Sequence, residues 1–481
     1  MKRLLSLLVL LVLLTGCGPV RESADSGRED LVRLRYYTIG RADPDLALVN
    51  DALNELLAQR YGFTVDYQKI DWNDYESTTN GILNTDQNFD ILFTWDTNYV
   101  RHAGNGAFLE LGEYLSGEGS RLYDAVDPRL WHGVRLDGGI YGVPTNKELA
   151  PVVQFLFSSY LVEKYSIDID AYPTIESLEP LLEWIAQQEP DVIPLMFTSE
   201  RVNLSDLLGF EYVAGADLPL VVRSGDPGCR VENIYETQEM IDLQNTLRRF
   251  YQKGLINADA TVRTAISRFR SEQVFCRIAT GGPESEASFS VDFGYPIVCR
   301  FAGTPWITNT STRGGIMAVN AHTEHPREAL AFLSAVNLDP DVRNLLNYGV
   351  EGVHYTLNAD DQVEVISDRY RGVPYTQGNW YILKTMAGED PDKWQRYREY
   401  NREAQPSVLL GFQPDLSTVQ DLCREVSGIY GRFDNALLTG SVDPEIYRAK
   451  ALEQMEKAGI DDLITLVQSQ VDLWKYADTI R

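Results

Sequence analysis

Hydrophobic and polar positions alternate from Leu31 to Tyr37, a period of two that predicts a half-buried strand, closed by Thr38-Ile39-Gly40. Asp43-Pro44 then opens a helical pattern with Leu46, Val49, Leu53, Leu56 and Leu57 on one face, and Gly62 stops it. Phe63 to Ile70 reads as a second strand, and a helical stretch from Tyr75 to Leu83 leads to a short apolar strand, Phe89 to Phe93. Strand, helix and strand in this order predict an α/β lobe with a parallel or mixed sheet. Ligands of such sheets gather outside the carboxyl ends of the strands, so Trp95 and Asp96, delivered there by the third strand, are the first candidate site residues.

A second organised stretch runs from Trp306 to Tyr355. It begins as a buried strand and continues as two helices, the first opened by His325-Pro326 and the second by Asp339-Pro340. Ala329, Phe332, Leu333 and Val336 form the apolar face of the first helix, and Gly349 and Gly352 mark turns after the second. Between the two stretches, Asp137-Gly138-Gly139 predicts a tight hairpin turn before Val143-Pro144. The chain changes character there, with a new apolar segment from Val152 to Lys164 and helices near Ile175 to Gln188 and Met240 to Lys253. A crossover to a second lobe is expected at Thr145 to Leu149.

Length agrees with two lobes, since 481 residues exceed what one core ordinarily holds. The net charge of -27 argues against nucleic acid or an anionic membrane face as partner, and it is spread along the chain as a solubilising surface would be. At the N-terminus, Lys2 and Arg3 precede an apolar run from Leu4 to Leu14, too short to span a bilayer stably and characteristic of an export signal. Gly18 to Asp30 is polar and unpatterned, as a tether is. Four cysteines lie beyond Cys17. Three pairings are open to them; Cys276 and Cys299, which flank the turn-rich Gly281-Gly282-Pro283 loop, are the pair expected to form a disulfide.

The tetrapeptide Leu14-Thr15-Gly16-Cys17 resembles a bacterial lipobox. With the Tyr36-Tyr37 strand, the runs FDILFTWDTNYVRHAGNGAFLELGEYL, GGIYGVPTNKE and HPREALAFLSAVNLDPDVRNLLNYGVEGVHY, and the tail segments GFQPD and LLTGSVDPEIY, nearly the whole mature chain resembles the extracellular solute-binding lipoproteins of sugar-type ABC importers, in the branch with an additional C-terminal domain. The resemblance implies a periplasmic-binding-protein-like type II α/β clamshell with several inter-lobe crossings. A signal peptide would occupy residues 1–16 and a tether 17–30. The first lobe would comprise 31–145 and a return segment 306–355, and the second 146–305 and 356–481, with the last crossing between 355 and 375. It further implies lipidation of Cys17, anchorage on the outer face of a bacterial membrane, a monomer working with permease subunits, and capture of a small molecule of the oligosaccharide class without a cofactor, a metal or a reaction.

A sugar presents an apolar C–H face and a ring of hydroxyls, so its site needs aromatic platforms beside carboxylates and amides. Besides Trp95 and Asp96, position selects Tyr37 at the end of the first strand and Glu211 and Tyr212 in the second lobe, and the resemblance implies a cleft carboxylate at the crossover, where Glu148 stands. Trp306 at the second crossing and Asn379 and Trp380 after the third complete the set. Rim packing is the alternative for Trp95 and Asp96, a surface ion pair for Glu148, and hinge packing for Trp306, Asn379 and Trp380. Arg313 beside Gly314-Gly315 reads as a solvated hinge arginine, and His354 as a buried, hydrogen-bonded one. GxSxG, HExxH, GxGxxG and phosphate-loop signatures are absent from the sequence. A surface-anchored glycan-processing enzyme, and the same fold binding a peptide or serving a sensory receptor, are the rival readings.

Overall fold

The computed structural model describes residues 31–85, 88–199, 204–263 and 273–480. Cys17, the export signal and the tether therefore lie outside the described residues.

The first lobe is laid down by β1 (Val32–Ile39), α1 (Leu46–Tyr61), β2 (Phe63–Ile70), α2 (Tyr75–Asn84), β3 (Ile91–Thr94) and α3 (Asp96–Gly104). Gly62 ends α1 in the left-handed conformation, its N–H reaching the Leu57 carbonyl, which turns the chain straight into β2. After three short helices and a hairpin, β4 (Val143–Pro144) leads across to the second lobe. There β5 (Val152–Ser158), β6 (Ile193–Met196), β7 (Phe210–Tyr212), β8 (Leu220–Arg223), β9 (Glu232–Asn233), α4 (Gln238–Gln252), β10 (Val274–Gly281), α5 (Ser285–Phe293) and β11 (Ile297–Phe301) follow in order. The chain returns through β12 (Ile316–Val319), α6 (Pro326–Leu338) and α7 (Pro340–Tyr348), then continues with α8 (Lys393–Glu403), α9 (Gln420–Leu438), α10 (Pro444–Ala458) and α11 (Ile460–Ile480).

Two sheets give the two lobes. The first has the order β2-β1-β3-β12-β4, with β1 parallel to both neighbours and β12 antiparallel to β3 and β4. Its core joins β1–β3 and α1 to β12, α6 and α7 through Leu34, Val65, Ile91, Met317, Phe332 and Leu346. The second sheet, β11-β5-β10-β6, packs with a small sheet of β7–β9, α4 and the three C-terminal helices on a separate core. Asp339 caps α7 as its sequence suggests, accepting from the N–H groups of Asp341 and Val342. His325 makes no such bond at the start of α6, where Pro326 alone fits the first turn. His354 is buried, accepting from the Val350 N–H at 2.9 Å and lying 3.3 Å from Asp45.

Two expectations are corrected. The last crossing does not fall between 355 and 375. Tyr370 is buried in the first core, its hydroxyl donating to the Leu346 carbonyl at 2.7 Å, and Ala404 and Leu410 still belong to that core. Leu409 and Phe412 are the first later residues in the second core, so the chain crosses at 405–412 and residues 356–404 do not belong to the second lobe. Nor are Cys276 and Cys299 bonded; all four described cysteines are free. Cys276 pairs with Phe157 and Cys299 with Leu156, so β5 runs between them. Two strand spacings amount to roughly 9–10 Å, beyond the reach of a disulfide.

Candidate functional site

The carboxyl ends of β1, β2 and β3 lie side by side in the parallel part of the first sheet, and aromatic rings collect there. Trp95, immediately after β3, lies 5.5 Å from Phe93 and 5.6 Å from Tyr75 between ring centroids. Tyr375 joins the group at 6.5 Å from Phe93 and carries Trp72, at 6.1 Å, out to the rim. Tyr75 is fixed beneath them, its hydroxyl donating to the Phe93 carbonyl at 2.5 Å. Phe93 and Tyr75 are buried, Trp95 and Tyr375 half-buried, and Trp72 is 47% exposed, so the group offers open ring surface on a rigid base.

Asp96 starts α3 with φ +34°, in the left-handed region that Asp tolerates better than most residues. Its N–H donates to the Arg313 carbonyl at 2.9 Å, which ties the end of β3 to the return crossing. Burial holds the Asp96 carboxyl above its ordinary range, with Arg313 pulling it down and Asp217 of the second lobe pushing it up. One residue on, Thr97 meets the same loop; a Cβ on Gly215 would lie 3.0 Å from Thr97 Cγ2. The two lobes therefore touch at the first turn of α3.

Toward the hinge the floor becomes charged. Lys147 Nζ lies 2.7 Å from Glu148 Oε1, both side chains nearly enclosed. Glu148 Oε2 is buried without a hydrogen-bond partner among the described residues. A Cβ on Gly282 of the second lobe would stand 3.4 Å from Glu148 Cβ and Cγ and 3.2 Å from the Tyr397 ring. Trp380 packs beside that ring at 6.2 Å and donates its indole N–H to Pro374. Ring faces at the end of β3, and an ammonium with a buried, unsatisfied carboxylate oxygen nearer the hinge, are the kinds of group that hydroxyl-bearing ligands require.

The remaining sequence candidates serve the frame. Asn379 is buried and caps a short helical turn, its Oδ1 accepting from the Tyr381 N–H at 2.9 Å and its Nδ2 donating to Asn337. The Tyr212 hydroxyl lies 2.9 Å from that of Tyr430, which ties β7 to α9. Trp306 packs on a turn of the second lobe, where a Cβ on Gly225 would come within 2.6 Å of its ring. Tyr37 leans on the first core. Glu211 is buried at the crossing, where the Ser407 hydroxyl donates to it. Burial first, then Asp206, pushes its carboxyl up to about 7, against the Ser407 hydrogen bond and Arg313.

Sequence reasoning missed three residues and misread a fourth. Trp72 follows β2 as Trp95 follows β3, a symmetry that could have found it. Tyr375 and Lys147 carry no local signal; only the fold brings them to the floor. Arg313 is not solvated: it is 2% exposed, with Nε donating to the Gly133 carbonyl at 2.7 Å and Nη1 to Gln413 at 2.6 Å. It braces the crossing between Asp96 and Glu211.

The model of the family described as bacterial extracellular solute-binding protein matches residues 52–364, and a domain of unknown function, DUF3502, matches residues 408–476. A carbohydrate ABC transporter substrate-binding protein of Streptococcus pneumoniae serotype 4 is 28% identical over 95% of this chain and 94% of its own length. The crystal structure of the N-glycan transport solute binding protein NgtS from Streptococcus pneumoniae superposes with a TM-score of 0.84 at 26% identity, over 92% of this chain and 99% of that one. The complex of the same protein with Man5GlcNAc gives 0.76 at 25% identity, over 93% and 99%.

Proposed function

Given that the chain belongs to the bacterial extracellular solute-binding proteins, we propose that it captures an oligosaccharide in its inter-lobe cleft and delivers it to the permease of an ABC importer. The observation that carries this reading is the cleft floor. Open rings of Trp72, Trp95 and Tyr375 and the unsatisfied Oε2 of Glu148 answer the apolar face and the hydroxyls of a sugar. Closing the lobes around the ligand presents the permease with a surface that the open form lacks. Its work is capture and release, with no bond of the sugar broken.

The similarity to NgtS, whose complexes hold Man1GlcNAc and Man5GlcNAc, supports a ligand built of mannose and N-acetylglucosamine. The Leu14–Cys17 lipobox supports anchorage through a lipidated Cys17 at the outer face of the membrane. A thermal-shift and calorimetric screen with Man1GlcNAc, Man5GlcNAc, unrelated oligosaccharides and peptides tests the substrate class. The expected result is a raised melting temperature with the mannose-containing glycans and unchanged sugar on recovery. Binding of a peptide alone, or release of hydrolysed sugar, would overturn the reading.

A further inference from the structure

The three crossings between the lobes are bonded to one another. The Thr145 N–H donates to the Gly315 carbonyl at 2.8 Å, the Ser407 N–H donates to the Ile307 carbonyl at 2.8 Å, and Arg313 Nη1 donates to Gln413 at 2.6 Å. Two carboxyls face Arg313 there, Asp96 from the first lobe and Glu211 from β7 of the second. Neither forms an ion pair with it among the described residues: its Nε and Nη1 serve Gly133 and Gln413, and its Nη2 has no partner. The other cation at the crossings, Lys147, whose stem would lie 3.8 Å from a Cβ on Gly314, is taken by Glu148 at 2.7 Å. Asp206 faces Glu211, and Asp217 of the second lobe faces Asp96. Tyr99 faces Arg313, Cys229 faces Glu211, and His132 Nε2 lies 2.9 Å from the Leu410 carbonyl of the last crossing. Four carboxyls around the hinge thus face one guanidinium, and full ionisation leaves negative charge uncompensated beside the buried Glu211.

Glu211 is the carboxyl that the hinge encloses. It is 6% exposed, and the Ser407 hydroxyl of the last crossing donates to it while accepting from the Leu409 N–H at 3.0 Å. With no cation paired to it among the described residues, an ionised Glu211 calls for water, which must enter between β7 and residues 405–412. Asp96 and Asp217, one in each lobe, act in the same sense, because like charges favour separation. We propose that the hinge is a one-proton switch: Glu211 carries a proton in the conformation described here, and losing it swings the lobes apart and weakens capture in the cleft. The swing belongs to the hinge alone; only its effect on capture rests on the oligosaccharide reading.

Small-angle X-ray scattering of the ligand-free full chain between pH 5.5 and 8.5 tests it. The radius of gyration should rise with a midpoint near pH 7 in wild type and stay constant in Glu211→Gln. It should rise less in Asp217→Asn, a change at an exposed position that leaves the fold intact. Calorimetry with Man5GlcNAc should show affinity falling at least threefold across the same range in wild type, and less than that in Glu211→Gln. A wild-type radius that ignores pH, a rise undiminished in both variants, or affinity that does not follow the rise would overturn the proposal. So would a change of thermal stability with pH at constant radius, which would confine Glu211 to a part in the core. Absence of binding at every pH, with the scattering transition in place, would sink the oligosaccharide reading and uphold the hinge.

Discussion

Glu148 of the first crossing and Gly282 of the second lobe are in van der Waals reach: a Cβ on Gly282 would stand 3.4 Å from Glu148 Cβ and Cγ. Any side chain there must push on the Glu148 stem or on the Tyr397 ring, 3.2 Å away. Gly282→Val is therefore expected to displace Glu148, weakening oligosaccharide binding at least tenfold in calorimetry, about 1.4 kcal/mol. Glu148→Gln keeps the shape and removes the charge. It should weaken binding less than Glu148→Ala, because an amide oxygen still accepts from a hydroxyl.

Trp95→Ala removes a half-exposed ring from the cleft floor while leaving buried Phe93 and Tyr75 packed beneath it. Oligosaccharide affinity should fall tenfold or more, with the melting temperature of the free protein changed by only a few degrees. Trp72→Ala, farther out, should fall short of that loss. Equal affinity in Trp95→Ala and wild type would take the aromatic floor out of the site.

Glu211 gives a pH dependence whose sign can be worked out. Burial lifts its carboxyl from an ordinary 4.5 to about 7 in the folded chain. The folded state thus holds this proton more tightly than the unfolded state, and the associated stability is complete below pH 4.5 and lost as pH rises to 7. The loss is on the order of 3 kcal/mol for a shift of this size. Denaturant melts of wild type and Glu211→Gln between pH 4.5 and 8 should show the variant gaining relative stability as pH rises. Parallel curves would show that Glu211 titrates normally.

The free cysteines predict that reductant leaves the protein unchanged. Melting curves with and without dithiothreitol should coincide, and alkylation after unfolding without reductant should label Cys229, Cys276, Cys299 and Cys423. A fall of several degrees on reduction would require a disulfide among cysteines that are free in this structure.

The lobe-closing pair Arg396 and Glu284, at 2.7 Å, is exposed enough that solvent screens it. Glu284→Ala should change ligand affinity no more than threefold at physiological salt. A tenfold loss would make this pair a genuine latch between the lobes.

What the sequence determined by itself is whatever depends on neighbours along the chain. The alternation of β1, the apolar face of α1 with its Gly62 stop, the Asp339 cap and the placing of Trp95 at a strand end all follow from local periodicity and backbone preference. The tertiary structure decided what depends on partners hundreds of residues away. Tyr370 lies in the first core because its hydroxyl meets Leu346, a fact no local pattern carries. Arg313 looked solvated beside two glycines, yet it is buried because Gly133 and Gln413 supply acceptors from distant segments. Cys276 and Cys299 sit close in the chain, yet β5 separates them, because sheet order rather than loop length sets the distance between strands. The cleft belongs to both accounts: Trp95 was legible as the end of a strand, Tyr375 reaches it by packing on Phe93 within the first lobe, and Gly282 meets Glu148 only when two lobes, each folded on its own core, are brought face to face.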